Sequence, residues 1–84
     1  MTTGSAEKNP FKDPLAGRSG DMGELMASLT DDETLEYIRN LNWSREKQTK
    51  GYGRWSIGKQ VVAGEWELRR RGLDPYSWLR PRTP

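Results

Sequence analysis

The residues best suited to chemistry lie in the second half of the chain. Arg69, Arg70 and Arg71 are consecutive, and Lys47, Lys50, Arg54, Lys59, Arg80 and Arg82 share that half with them. All four Trp, at positions 43, 55, 66 and 78, lie there too. Arg forms bidentate bonds with phosphate or carboxylate and stacks on aromatic rings. Together with Tyr52 and Trp55, which are placed to stack on an exposed base, these nine cations make a candidate nucleic-acid surface. A competing reading treats Arg69–Arg71 as the cationic end of a helix, where positive charge complements the helix dipole.

The chemistry that is missing narrows the classes further. The 84 residues contain no His and no Cys. The commonest general base, the thiol nucleophile, disulfides and Cys/His metal sites are therefore absent. The stretch "GYGRWSIGK" lacks the spacing of a phosphate-binding loop, and Ser56 stands where a G-x-G-x-x-G pattern needs its third Gly. Asp31, Asp32, Glu33 and Glu36 are clustered, but at a helix start they have a structural reason. The expectation is a non-enzymatic protein without cofactor or metal.

Charge is unevenly placed. Residues 1–42 hold four cations and eight anions, a net of −4, whereas residues 43–84 hold ten cations and four anions, a net of +6. Hydrophobic residues make up 32 % of the chain and mean hydropathy is −1.00, where about 45–50 % apolar is usual for a globular domain. A partner, oligomerisation or efficient use of the aromatic side chains must supplement so small a core. No apolar run approaches the roughly 20 residues of a membrane span. The opening "MTTGSAEKNPFKDP" also lacks the apolar stretch of a signal peptide. The expected location is cytoplasmic, and a virion fits equally.

The elements that position these residues can be read from periodicity. Residues 1–20, rich in Gly, Ser, Thr, Pro and Lys, read as a disordered polar arm. Met22, Leu25, Met26 and Leu29 lie at i, i+3, i+4 and i+7, one face of a short helix over 22–29, with Asp21 and Glu24 resembling a capping box. At about two turns it is marginal alone, so its apolar face is expected on a partner, although its own domain is the simpler support. The clearest helix spans about 31–41: Thr30 is its N-cap, Glu33 completes a capping box, Leu35, Ile38 and Leu41 form its stripe, and Asn42 is a plausible stop. A basic loop over 43–55 follows, broken by Gly51 and Gly53.

A second long helix is expected over 56–71. Its end is marked by cations, by Gly72 at C′ and by Leu73 as the apolar partner of a Schellman cap. On a helical wheel Ile57, Val61 and Leu68 form one stripe, and Trp55, Val62, Trp66 and Leu73 a second about 140° away. The competing local reading is a short β-meander over 54–64, with Gly58 and Gly64 at turns. The tail 73–84 turns at Asp74-Pro75, so that Tyr76, Trp78 and Leu79 can fold back over the helices.

The fold expected is thus mainly α: a small helical hairpin with a disordered N-terminal arm and an aromatic C-terminal tail. The function expected is that of a small accessory or regulatory protein docking on a larger protein assembly. Its partner-binding residues would be Met22, Leu25, Met26, Leu29, Val62, Trp66 and Leu73. Nucleic-acid binding by the basic half is the alternative, and self-association through the spare apolar face is a third route.

Overall fold

The computed structural model describes residues 8–47 and 51–79, the side chain of Tyr52 excepted. Three α-helices follow in order: α1, Met22–Ala27; α2, Asp31–Lys47; and α3, Gly51–Arg70, before a 3-10 turn at Ser77–Leu79. There is no strand among the described residues. The expected helical hairpin is present as α2 and α3, and the meander alternative at 54–64 falls within continuous helix.

The start of α2 follows from its capping box. The Thr30 amide donates to Glu33 Oε1 at 2.9 Å and the Glu33 amide donates to Thr30 Oγ1 at 3.1 Å. At α1 the Asp21 half of a similar box forms, with the Glu24 amide donating to Asp21 Oδ2 at 3.0 Å. Both helices therefore begin where the sequence placed them. Helix α2 runs on past Asn42 to Lys47, which corrects the expected stop. Asn42 does not cap: its Oδ1 accepts from Arg45 Nη2 one turn later. Neither Gly nor Pro occurs between Asp31 and Gly51 to break the helix.

Helix α3 begins at Gly51, five residues before its expected start. The basic loop expected over 43–55 is thereby mostly helix, with residues 43–47 closing α2 and 51–55 opening α3. Tertiary packing overrides the low helix propensity of Gly51, Gly53 and Gly58: Ile57 and Val61, one and two turns on, seat against α2. The end of α3 is the expected Schellman cap. Gly72 has φ +80°, its amide donates to the Arg69 carbonyl at 2.9 Å, and the Leu73 amide donates to the Leu68 carbonyl, also at 2.9 Å.

The core has two parts. Ile38, Val61, Leu68 and Trp78 are buried together between α2, α3 and the 3-10 turn, with Leu35, Leu41, Ile57 and Leu73 against them. Leu15, Met26, Leu29 and Tyr37 form a second, adjoining cluster, and Leu41 packs against both. Gly64 lies where α3 approaches α2 most tightly: a Cβ there would stand 2.5 Å from Ile38 Cγ1. The glycine that weakens the helix locally is therefore the one that lets α3 meet α2.

Residues 8–20 carry no helix or strand, but they follow α2 closely. Asn40 Nδ2 donates to the Phe11 carbonyl at 2.8 Å, and Asn9 Nδ2 donates to the Asn40 carbonyl at 3.2 Å. The Lys12 amide donates to Glu36 Oε2 at 3.0 Å, and Leu15 is buried beside Tyr37. Burial, with the Asp13 carboxylate adding to it, pushes the Tyr37 hydroxyl above its ordinary pKa. The first seven residues of the expected arm, and positions 80–84 of the expected tail, lie outside the described residues.

Candidate functional site

The seven residues expected to bind a partner do not form one surface. Met26 and Leu29 are buried in the protein's own core and Leu25 packs against it, leaving Met22 as the exposed apolar residue of α1. The short helix thus lies on its own domain: Leu15 and Tyr37 cover the face that was assigned to a partner. Leu73 is half-buried against the Ile38, Val61, Leu68 and Trp78 cluster. Val62 and Trp66 are different, being 49 % and 61 % exposed, and Trp55, 59 % exposed, continues their line along α3.

The basic residues divide as well. Arg71, expected in the nucleic-acid surface, is turned inward instead, with its side chain only 15 % exposed. Its Nε donates to Glu67 Oε2 at 2.7 Å, Nη1 to Asp31 Oδ1 at 2.9 Å, and Nη2 to the Met26 carbonyl at 3.0 Å. One guanidinium thereby joins the end of α1, the start of α2 and the end of α3. It is a further donor to the Met26 carbonyl, which also accepts from the Leu29 amide at 3.2 Å. Arg70 is more exposed, yet it grips the same carboxylate, with Nη2 2.7 Å from Glu67 Oε2. Hydrogen bonds from Arg70 and Arg71 hold the Glu67 carboxyl below its ordinary pKa although burial acts the other way.

The exposed cations pair with Trp. Lys59 Nζ sits 4.6 Å from the centroid of the Trp55 ring, the Arg69 guanidinium carbon 5.0 Å from that of Trp66, and Lys47 Nζ 5.0 Å from that of Trp43. Each is a cation–π contact one helical turn long. Arg54 is exposed, with Nη1 donating to the Arg45 carbonyl at 3.3 Å. Lys50, Arg80, Arg82 and the Tyr52 side chain, all expected in the nucleic-acid surface, lie outside the described residues.

The tail only partly covers α3. Trp78 turns into the core, its Nε1 donating to Glu65 Oε2 at 2.8 Å while its carbonyl accepts from Arg39 Nε at 2.9 Å. Tyr76 and Leu79, expected to fold over the helices, are exposed. Tyr76 instead borders a groove of about 220 Å³ lined by Val62, Glu65, Trp66, Arg69, Pro75 and Tyr76. This groove is the feature that sequence reasoning missed. Its signal was Gly72 followed by Asp74-Pro75, which turns the chain back beside α3, but the direction of that turn is set by where Trp78 finds space.

The outer face of α3 therefore presents a ridge of Trp55, Val62 and Trp66, with a groove at its C-terminal end and cations stacked on both indoles. Among the described residues, no group of three or more Asp and Glu is arranged to hold a metal ion, and no helix is long and apolar enough to cross a membrane. No protein-family model, no curated protein and no solved structure matches this chain.

Proposed function

We propose that this protein is a non-enzymatic accessory or regulatory protein of the cytoplasm. It docks on a larger protein through the outer face of α3. The observation that carries this reading is the line of Trp55, Val62 and Trp66. These are three large apolar side chains, each about half or more exposed, on the side of α3 opposite its packed stripe of Ile57, Val61 and Leu68. In a chain only 32 % hydrophobic, leaving two indoles in water is a waste of core material unless they bury elsewhere. Trp and Arg are also the residues that most often dominate protein–protein binding energy.

Nucleic-acid binding is the second reading. The exposed pairs Lys59–Trp55 and Arg69–Trp66 favour it, and the commitment of Arg71 to Asp31 and Glu67 weighs against it.

A photo-crosslinking amino acid placed at Val62 in the full chain, expressed in its source cells, tests the docking reading. A discrete protein adduct is expected from position 62, and none from the same group at Asp32 on the exposed start of α2. Crosslinking from position 62 to nucleic acid, or to nothing, would refute it.

A further inference from the structure

The outer face of α3 also specifies the chemistry of its partner. Trp55, Lys59, Val62, Trp66 and Arg69 follow one another at spacings of four, three, four and three residues. This is the 3–4 alternation of a seam along which a second helix packs. All five residues are exposed along α3. With about 3.6 residues per turn, the seam and Arg70 occupy a sector roughly 100° wide, and no Asp or Glu falls within it. The two anions of α3 lie on its flanks, and both are occupied. Glu65 accepts from the Trp78 indole, and Glu67 is gripped by Arg70 and Arg71. The seam therefore combines three apolar and two cationic side chains, with each cation held against an indole of the same seam.

We infer that the seam receives an acidic amphipathic helix of another protein. Its apolar side chains pack on Trp55 and Val62 and enter the groove between Trp66 and Tyr76, and its Asp or Glu side chains meet Lys59 and Arg69. This rests on the docking reading and adds the partner's secondary structure and charge. The same residues disfavour the other occupants. Val62, midway along the seam, offers nucleic acid neither a ring to stack on nor a group to bond, and the Arg70 guanidinium is shared with Glu67. A lipid surface would draw Lys59 inward together with the two Trp between which it stands. A second copy seated seam to seam would oppose like charges.

Selection from a library of displayed helix-forming peptides, with the full chain as bait, tests the inference. The enriched peptides should carry apolar residues at 3–4 spacing and a net negative charge, and their binding should weaken as salt is raised. Val62→Asp should reduce that binding at least tenfold while far-ultraviolet circular dichroism and the melting temperature stay unchanged. The double variant Lys59→Glu/Arg69→Glu should prefer the same peptides remade with Lys in place of Glu.

Enrichment of neutral or basic peptides that still require Val62 would overturn the acidic partner and leave the docking reading standing. Failure to enrich any Val62-dependent peptide would overturn both. So would tighter binding to single-stranded oligonucleotides or to phosphatidylcholine/phosphatidylserine vesicles, or stable self-association in sedimentation.

Discussion

Two glycines of α3 offer a controlled comparison. Gly58 and Gly64 are both internal to the helix, so replacing either with Ala brings the same intrinsic gain of about 1 kcal/mol. Their surroundings differ. A Cβ at Gly58 meets only Arg45 Nη1, at 3.9 Å, an ordinary contact. A Cβ at Gly64 would lie 2.5 Å from Ile38 Cγ1 and 2.8 Å from its Cδ1, with Met26 Cε at 3.8 Å beyond. Carbon atoms prefer separations of about 3.5–4.0 Å, and Ile38 is fully buried with no space to retreat into. Overpacking of this kind costs about 1–3 kcal/mol, and so severe an overlap belongs near the upper end. Gly58→Ala should therefore stabilise by about 1 kcal/mol, and Gly64→Ala should destabilise by about 2 kcal/mol net.

The gap of roughly 3 kcal/mol corresponds to about 12–24 °C in melting temperature, since a domain of this size shifts about 4–8 °C per kcal/mol. Thermal and urea unfolding of the two single variants, followed by circular dichroism, would measure it. Ile38→Ala should then destabilise less when Ala occupies position 64 than when Gly does, by about 1–2 kcal/mol of coupling. If Gly64→Ala melts with or above Gly58→Ala, the close approach of α3 to Ile38 is not what Gly64 is for.

Other expectations concern the junctions. Arg71→Lys cannot reproduce the contacts with Glu67, Asp31 and the Met26 carbonyl together, and should lower stability by about 1–3 kcal/mol in urea unfolding without changing peptide capture by the α3 seam. Thr30→Ala removes the α2 cap and should cost about 1 kcal/mol, read by the same assay. The pKa of Glu67 is depressed in the folded state, so the unfolded chain takes up its proton first on acidification. The stability from this group is full above the unfolded value, about 4.3, and is lost as pH falls through the lower folded value. The difference in stability between wild type and Glu67→Gln should therefore be constant near neutrality and shrink below about pH 4.3; a difference unchanged down to pH 2 would refute this.

The parts of the fold carried by short-range chemistry were legible in the sequence. Thr30 with Glu33, and Gly72 with Leu73, are local hydrogen-bond devices whose residue types announce them, and both formed as read. The stripe of Ile57, Val61 and Leu68 was visible because periodicity survives in any helix. What escaped was set by distant neighbours. The start of α3 depends on α2 supporting residues that favour helix weakly. The role of Arg71 depends on Asp31 and the Met26 carbonyl, 40 and 45 residues away. The burial of Met26 and Leu29 depends on Leu15, a residue in a stretch with too few apolar groups to suggest an anchor. The second face of α3 was read from its spacing, but the groove beside Trp66 needed the path of the tail.

The division of the core into two clusters carries a consequence for the order in which the molecule comes apart. The hairpin of α2 and α3 buries Ile38, Val61, Leu68 and Trp78 in a cluster to which residues 8–30 contribute no member, although Met26 Cε reaches its edge at Gly64. The arm and α1 form an outer layer on Tyr37, fastened by Leu15, the bonds from Asn9 to the Asn40 carbonyl and from Asn40 to the Phe11 carbonyl, and the Arg71 clasp. Amide exchange should find this layer opening as one unit while the hairpin amides stay protected. Since Arg71 reaches it from the far end of the chain, α1 can be clasped only after α3 has formed. During synthesis α1 is thus secured only after a residue 45 positions beyond Met26 has emerged.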